Sequence, residues 1–281
     1  MWSFVKSYLV TFVGIAGAMA TLVTFYYQFI PNTMTREAIA LAVISFYGFY
    51  FFSAHLLLKA RFDRNSRYGQ ALRPLNLGFT EIHRLIRQGK VAEEALRSFE
   101  YLADQLATVF STITSVECSV CIKIMQNADR DHITYETLCR NKSAGRERTN
   151  ADDESRAKNI QHTLQENTAF KSALHNKTGA FISNRLPLLS PYHNSSFQIY
   201  GDSYQGMNVI RRLRRWTLPY KSALVVAIRP YHGSSGSDTI IGFLCIDSPR
   251  MGVFSEGHQI EIMQGVADGM YNAISAYKAK L

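Results

Sequence analysis

Residues 240–263 read IIGFLCIDSPRMGVFSEGHQIEIM and place a strand, a turn and a helix in one short stretch. Residues 239–248 are strongly apolar, as in a buried strand, and end at Asp247 and Ser248. From about residue 255 to residue 278, apolar residues recur at helical spacing on one face. We predict a central strand, a turn that Phe254 plugs, and a closing helix that Ser255 caps. This arrangement needs no catalytic residue.

The remaining elements of the carboxyl-terminal part do not alternate between strand and helix. Further strand-like runs occupy residues 117–126, 132–141, 180–184 and 221–230. Helical spacing covers residues 77–115 and 169–178, and Asn167 and Thr168 are expected to cap the second of these helices. This order predicts an α+β domain in which helices are layered on an antiparallel sheet.

Two membrane-length apolar segments precede this domain. Residues 7–30 contain no charged side chain, and residues 38–58 contain His55 as the one group that titrates near neutral pH. At about 1.5 Å per residue, either helix would cover the roughly 30 Å of bilayer hydrocarbon. The pair predicts a transmembrane α-hairpin within residues 1–60. The small residues around Met19 leave a cleaved signal peptide as the alternative for the first segment.

Basic residues follow the second segment. Residues 59–90 carry a net charge of +6, and residues 61–89 are expected to form a basic juxtamembrane linker or helix. Within it, the polar residues 62–76, broken by Gly69 and Pro74, are expected to form a linker. Because positive loops stay in the cytoplasm, both termini are expected on the cytoplasmic side of the inner or plasma membrane. The whole chain carries +9, and this local concentration favours contact with a membrane over binding of nucleic acid.

Three segments resemble the GAF domain family: NTAFKSALHNKTGAFISN at 167–184, YKSALVVAIRP at 220–230, and residues 240–270. The resemblance covers residues 90–281. It implies a GAF-like antiparallel sheet that carries a small-molecule pocket on one face. It also implies a homodimer through the first and last helices, near 90–115 and 255–278. Cyclic-nucleotide-binding members carry Asn-Lys where this chain has Asp247 and Ser248, so a cyclic nucleotide is not the implied ligand.

The resemblance also implies where a ligand would bind. The expected inward positions on the sheet are Cys121, Lys123, Phe181, Tyr220 and Ser222. Asn184 is expected above them, over the pocket. In the family, the region of residues 209–220 (VIRRLRRWTLPY) lies over the pocket. Its arginines are Arg211, Arg212, Arg214 and Arg215. Guanidinium groups suit a phosphate or carboxylate ligand, an anionic lipid or partner, or simply solvent.

No enzyme signature accompanies these features: the sequence lacks a P-loop, GxSxG, HExxH and a dinucleotide fingerprint. Cys118 and Cys121 form a lone CxxC whose thiols face opposite sides of a strand, so no metal or cofactor is predicted. The favoured function is a membrane-anchored cytoplasmic small-molecule sensor that signals through a partner protein or through the membrane segment itself. The alternatives are a ligand-triggered membrane-disrupting effector of the cell-suicide or defence type, and a cysteine-dependent reductase of free methionine sulfoxide.

Overall fold

The computed structural model describes residues 17, 21, 23, 24, 28, 33–88, 92–127, 133–142, 162–176, 178–189, 191–197, 208–230 and 240–279. The chain divides into two compact units, Met1–Asn65 and Ser66–Leu281. The described helices are α1 (Thr33–Gln88), α2 (Ala92–Thr114), α3 (Thr168–His175), α4 (Val209–Arg215) and α5 (His258–Lys278). The strands are β1 (Ser119–Asn127), β2 (Thr134–Arg140), β3 (His162–Thr163), β4 (Ala180–Ser183), β5 (Ser222–Ile228) and β6 (Gly242–Ser248).

The first unit contains the start of α1. The predicted first span at 7–30 lies outside the described residues, apart from a few isolated helical positions. In the described part of the chain, one helix, Ala40–Gln88, is long and apolar enough to cross a membrane, judged by length and composition. Its apolar window has a mean hydropathy of 1.7 and is not buried. The second predicted span therefore lies in a suitable helix, and the two-helix hairpin remains a prediction.

The expected linker at 62–76 is wrong, because α1 runs through it without a break. Pro74 lies inside the helix and removes one backbone hydrogen bond. In the second unit, Ala71, Ile82 and Leu85 are buried in the core. This packing stabilises the helix more than the proline weakens it. The second unit accordingly begins at Ser66, ahead of the expected domain boundary at residue 90.

The second unit is built on one six-stranded sheet with the order β3-β2-β1-β6-β5-β4. Every neighbouring pair is antiparallel, which confirms the predicted α+β class. The central pair, β1 and β6, approaches closely at Gly242: a Cβ there would lie 2.1 Å from the Lys123 carbonyl oxygen. Strand β3 has two residues and was not predicted, since so short a run has no periodicity.

The sheet has a different core on each face. Ile122, Leu224 and Leu244 pack toward residues of α2 and α5, such as Phe99 and Met263, in the larger core. The opposite face carries a smaller aromatic core, whose members include Tyr135, Phe170, Phe181, Val225 and Phe243. The rings of Phe170 and Phe243 stack with centroids 4.4 Å apart. Alternating side chains on each strand thus supply two layers.

The closing turn is plugged by Phe254, which is buried as predicted. The Asn184 side chain accepts a 2.7 Å hydrogen bond from the Phe254 N–H and donates one to its carbonyl oxygen. The Ser255 cap is wrong. Helix α5 begins at His258, and its N-cap is Gly257 with φ of 92°. Glycine adopts this positive-φ conformation without strain, and the helix begins three residues after the expected start near Ser255.

The N-cap of α3 is Asn167, as expected, although its side chain makes no capping hydrogen bond. The amide instead donates to Thr163 O at 2.7 Å and to Ser195 Oγ at 3.0 Å. These bonds tie the start of α3 to β3 and to a neighbouring loop. Asn167 therefore stabilises tertiary contacts rather than the helix end alone.

Candidate ligand site

A cavity of about 60 Å³ lies on the sheet face that carries the smaller core. Residues of β1, β5 and β6 form its floor, while α3 and loop residues form its sides. A space of this size holds roughly four water molecules or a small ligand. The polar and ionisable lining residues are Cys121, Lys123, Arg140, His162, Asn167, Tyr192, Asn194, Ser196, Tyr220, Cys245 and Asp247.

The ammonium of Lys123 is the main charge at the floor. Its side chain is buried, and its Nζ donates a 3.0 Å hydrogen bond to Thr137 Oγ1. No salt bridge joins it to a carboxylate among the described residues. Burial lowers the pKa of Lys123 below its usual value, and the nearby Arg140 acts in the same direction. An ammonium has three donors, so an added acceptor in the cavity would stabilise it.

A β-bulge brings Arg140 to the same cavity. The register between β1 and β2 shifts between Ile122 and Lys123, where Cys139 pairs with Ile122 but Thr137 pairs with Lys123. The extra residue changes which side chains face the cavity. Thr137 therefore meets Lys123, while Arg140, three positions further on, also lines the cavity. The bulge places two cations, against the single carboxylate of Asp247, around one space.

His162 closes one wall and is buried. Its Nδ1 lies 2.5 Å from Ser195 Oγ, and that hydroxyl oxygen also accepts a hydrogen bond from the Asn167 side-chain amide. Burial, followed by the charges of Lys123 and Arg140, lowers the pKa of His162 to about 2. A histidine that remains neutral at all ordinary pH values is a poor general base, and Ser195 does not line the cavity. We interpret this contact as one that stabilises the packing of β3 against the loop at Ser195, and not as a catalytic pair.

Two tyrosines and one asparagine form the other wall. The Asn194 side-chain amide donates to Tyr192 Oη at 3.1 Å and to Tyr220 Oη at 2.9 Å. Burial raises the pKa of Tyr192 to about 12, so its hydroxyl remains a donor. The Trp216 indole donates to Tyr220 O at 2.7 Å and lies 6.0 Å from the Tyr192 ring. Trp216 is the C-cap of α4 and therefore connects this wall to that helix.

The cysteines are divided between the two faces of the sheet. Cys121 and Cys245 are register partners on β1 and β6, and both line the cavity. Cys118 lies in the larger core with its Sγ 3.5 Å from Thr114 Oγ1, so the CxxC thiols face opposite sides as predicted. Burial raises the pKa of Cys118 to about 11 and raises that of Cys245 as well. All four cysteines are free thiols.

Three of the residues expected at the site, Cys121, Lys123 and Tyr220, come together around the cavity. Phe181 lies in the adjacent aromatic core. Ser222 lies away from the cavity, where its hydroxyl donates to Arg250 O at 2.7 Å and lies 3.2 Å from Asn184 O. Asn184 itself holds the closing turn. These two therefore support the closing turn and not the cavity.

The four arginines of α4 do not line the cavity. Arg212 is buried and donates from Nη1 to Leu189 O at 2.9 Å, whereas Arg211, Arg214 and Arg215 are exposed. The cavity residues that the sequence did not indicate include Arg140, His162, Tyr192, Asn194 and Asp247. Arg140 ends β2 opposite Cys121, and Asp247 lies near the end of β6 opposite Ser119 and Ala223, so their places at the ends of predicted strands were the one available signal. His162 and Asn194 lie in segments without a pattern.

No family profile and no curated protein matches this chain. Its fold is similar to that of several solved GAF domains. That of an Acinetobacter phosphoenolpyruvate-protein phosphotransferase has 10% identity, a TM-score of 0.39, and covers 72% of this chain and 96% of its own. The phycoerythrobilin-bound GAF domain of a cyanobacterial phytochrome has 14% identity and a TM-score of 0.41. The match covers 73% of this chain and 97% of that domain.

The type II free methionine-R-sulfoxide reductase of Thermoplasma acidophilum has 12% identity and a TM-score of 0.39, and it covers 65% of this chain and 96% of its own. Similarity this low carries no argument about activity. The architecture of the second unit is established by its own strand order: a six-stranded antiparallel sheet with a polar cavity on one face and helices α2 and α5 on the other.

Proposed function

We propose that the second unit is a GAF-like sensor domain that binds a small anionic molecule in the cavity above Lys123. The observation that carries this proposal is the buried ammonium, which has a single hydrogen bond to a neutral hydroxyl among the described residues. A buried charge is costly unless it is paired. A carboxylate or phosphate in the cavity would accept from Lys123, with Arg140 as the second cation.

Ligand binding would then act on the opposite face of the sheet. Strands β1 and β6 carry cavity residues on one side and core residues such as Ile122 and Leu244 on the other. A ligand changes this packing only if its affinity differs between two arrangements of the domain. The output would pass through α2, α5 and residues 66–88 to a downstream partner protein. No catalytic step is part of this proposal.

The proposal is tested with the full chain in detergent. Native mass spectrometry would reveal a retained small molecule, and calorimetry would measure binding of a panel of small carboxylates and phosphates. We expect Lys123→Met to abolish binding and Lys221→Met, a matched change of an exposed lysine that directly precedes β5, to leave it unchanged. Equal binding by the wild type and Lys123→Met would contradict the proposal. So would the absence of a retained molecule together with no binding of any carboxylate or phosphate in the panel.

Membrane attachment is a further part of the proposed function. Its support is the apolar part of α1, in which side chains such as Phe46, Phe49 and Leu57 are 65–71% exposed. Exposed apolar surface of this kind is expected in lipid. The chain should remain in the membrane pellet after alkaline carbonate extraction. Protease added to inside-out vesicles should remove the carboxyl-terminal domain. Release of the chain by carbonate, or protection of the domain, would contradict the attachment or the orientation.

The expected homodimer through helices near 90–115 and 255–278 also remains a proposal. Residues 66–88 lie against these helices: Ser98 Oγ donates to Glu81 Oε1 at 2.7 Å, and a Cβ at Gly269 would lie 2.7 Å from the Phe79 ring. A second copy would therefore meet this segment too, where Leu72 is 61% exposed and Ile86 is 43% exposed. Light scattering of the detergent-solubilised chain would measure the mass, and Leu72→Glu should reduce the dimer fraction.

A further inference from the structure

Helix α4 combines exposed apolar and exposed cationic side chains on one short surface. Val209, Ile210 and Leu213 are 52%, 65% and 40% exposed. Arg211, Arg214 and Arg215 are exposed as well. At about 100° per residue, the apolar side chains occupy one arc of the helix and the exposed arginines occupy the next. Residues 208–220 contain no acidic residue, so this surface carries a strong positive charge.

The exposure of this surface is not a sign of a poorly held segment. The Asn208 side chain accepts a 2.9 Å hydrogen bond from the Arg211 N–H and caps the helix. Arg212 is buried on the opposite side, where its guanidinium donates to Leu189 O. The indole of Trp216 fixes the other end of α4 through Tyr220 O. These three bonded or buried groups therefore orient the helix so that three apolar side chains face outward.

We propose that the surface formed by Val209, Ile210, Leu213, Arg211 and Arg214 docks onto an anionic lipid bilayer. An amphipathic helix of this kind lies in the headgroup region, where apolar side chains enter the acyl boundary and cations meet lipid phosphates. Guanidinium groups bind phosphate oxygens through paired donors. Two exposed arginines beside three exposed apolar residues match both parts of that environment, and the charge sign requires an anionic surface.

Docking of α4 would restrain one wall of the ligand cavity. Trp216, at the end of α4, lies 6.0 Å from the ring of Tyr192, which lines the cavity. Tyr192 is in turn held by Asn194, together with Tyr220. A bilayer that restrains α4 would therefore restrain one wall of the proposed binding site. This link depends on the proposed sensor function, whereas the docking itself does not.

Hydrogen exchange of the full chain provides the test. The chain is placed in nanodiscs of zwitterionic phospholipid, and in nanodiscs of the same lipid mixed with an anionic phospholipid. We expect the amides of residues 210–216 to exchange more slowly in the anionic discs, while those of β5 remain unchanged. Arg211→Gln with Arg214→Gln should remove this difference in exchange. Each substitution is expected to lower the affinity for anionic lipid about fivefold. Ile210→Ser with Leu213→Ser should weaken it too.

The matched control is Arg185→Gln with Arg250→Gln, which removes two exposed arginines elsewhere in the same unit and should keep the protection. Equal exchange in the two lipids, or protection that survives the loss of Arg211 and Arg214, would overturn the proposal. Protection that appears only after an acidic protein is added would assign the surface to a protein partner and overturn it as well. If the chain does not enter nanodiscs, membrane attachment fails, and cosedimentation with the same lipids as vesicles decides the docking.

Discussion

Lys123 Nζ donates to Thr137 Oγ1 at 3.0 Å, across two antiparallel strands that a β-bulge has shifted out of simple register. Thr137 is the register partner of Lys123 only because the bulge follows Ile122. The bond holds a buried ammonium at the floor of a polar cavity. The irregular register of the sheet therefore positions the charged group of the proposed ligand site.

Replacing Lys123 with methionine should raise the free energy of unfolding of the ligand-free protein by about 1 kcal/mol or more. The change removes a buried charge and keeps most of the side-chain volume. Since folding lowers the pKa of Lys123, the unfolded state binds more protons below pH 10.5. The wild type should therefore gain stability as pH rises toward 10.5, and the variant should lack this gain. Urea unfolding at several pH values measures both effects.

Lys221→Met is the control for this experiment and should change stability by less than about 0.5 kcal/mol, because Lys221 is exposed. A destabilised Lys123→Met variant would mean that the ammonium is already compensated in the ligand-free protein. That result would also remove the main support for an anionic ligand.

His162 should make the domain sensitive to acid. Its pKa is lowered from 6.5 to about 2 in the folded state, mainly by burial. The neutral form is therefore favoured on folding, so this stability is fully present above pH 6.5 and is lost as pH falls below it. The slope should approach about 1.4 kcal/mol per pH unit. His162→Gln should flatten the dependence of the unfolding free energy on pH between 6.5 and 4, while His175→Gln, an exposed control, should not.

The cavity thiols should react slowly in the native protein. Burial raises the pKa of Cys245 and, in the core behind it, that of Cys118, and thiolate is the reactive form. Iodoacetamide at neutral pH should label neither residue at a rate comparable with that of the unfolded chain, as measured by peptide mass spectrometry. Rapid labelling of Cys245 would contradict this expectation and would favour the cysteine-dependent reductase over the sensor.

Gly242→Ala should be among the most destabilising single changes in the second unit. The added methyl group would lie 2.1 Å from the carbonyl oxygen of Lys123, which is backbone and cannot rotate away. The separation of β1 and β6 would cost about 3 kcal/mol or more, at the upper end of overpacking effects. Chemical denaturation measures the loss. Gly69→Ala, a helical position with open space, should instead stabilise by about 0.5–1 kcal/mol.

Several elements could be predicted from the sequence because their signals are local. Strand β6, the plug at Phe254 and the body of α5 follow from hydrophobic periodicity and turn residues, which depend on neighbouring positions alone. The opposite orientation of Cys118 and Cys121 follows from the alternation of a strand. The linker at 62–76 failed because Gly69 and Pro74 are local signals for a break, whereas packing of Ala71, Ile82 and Leu85 acts over long range.

The sequence by itself determined the α+β class and the position of the apolar segments, and the resemblance to GAF domains implied an inward position for Lys123. Only the tertiary structure decided which polar groups surround that lysine. Arg140 reaches the cavity through a bulge, and His162 reaches it through a two-residue strand. The arginines of α4, expected above the pocket, point instead into the protein at Arg212 and outward elsewhere. The physical reason is that side-chain periodicity specifies a face, whereas register, bulges and loop packing specify the neighbours on it.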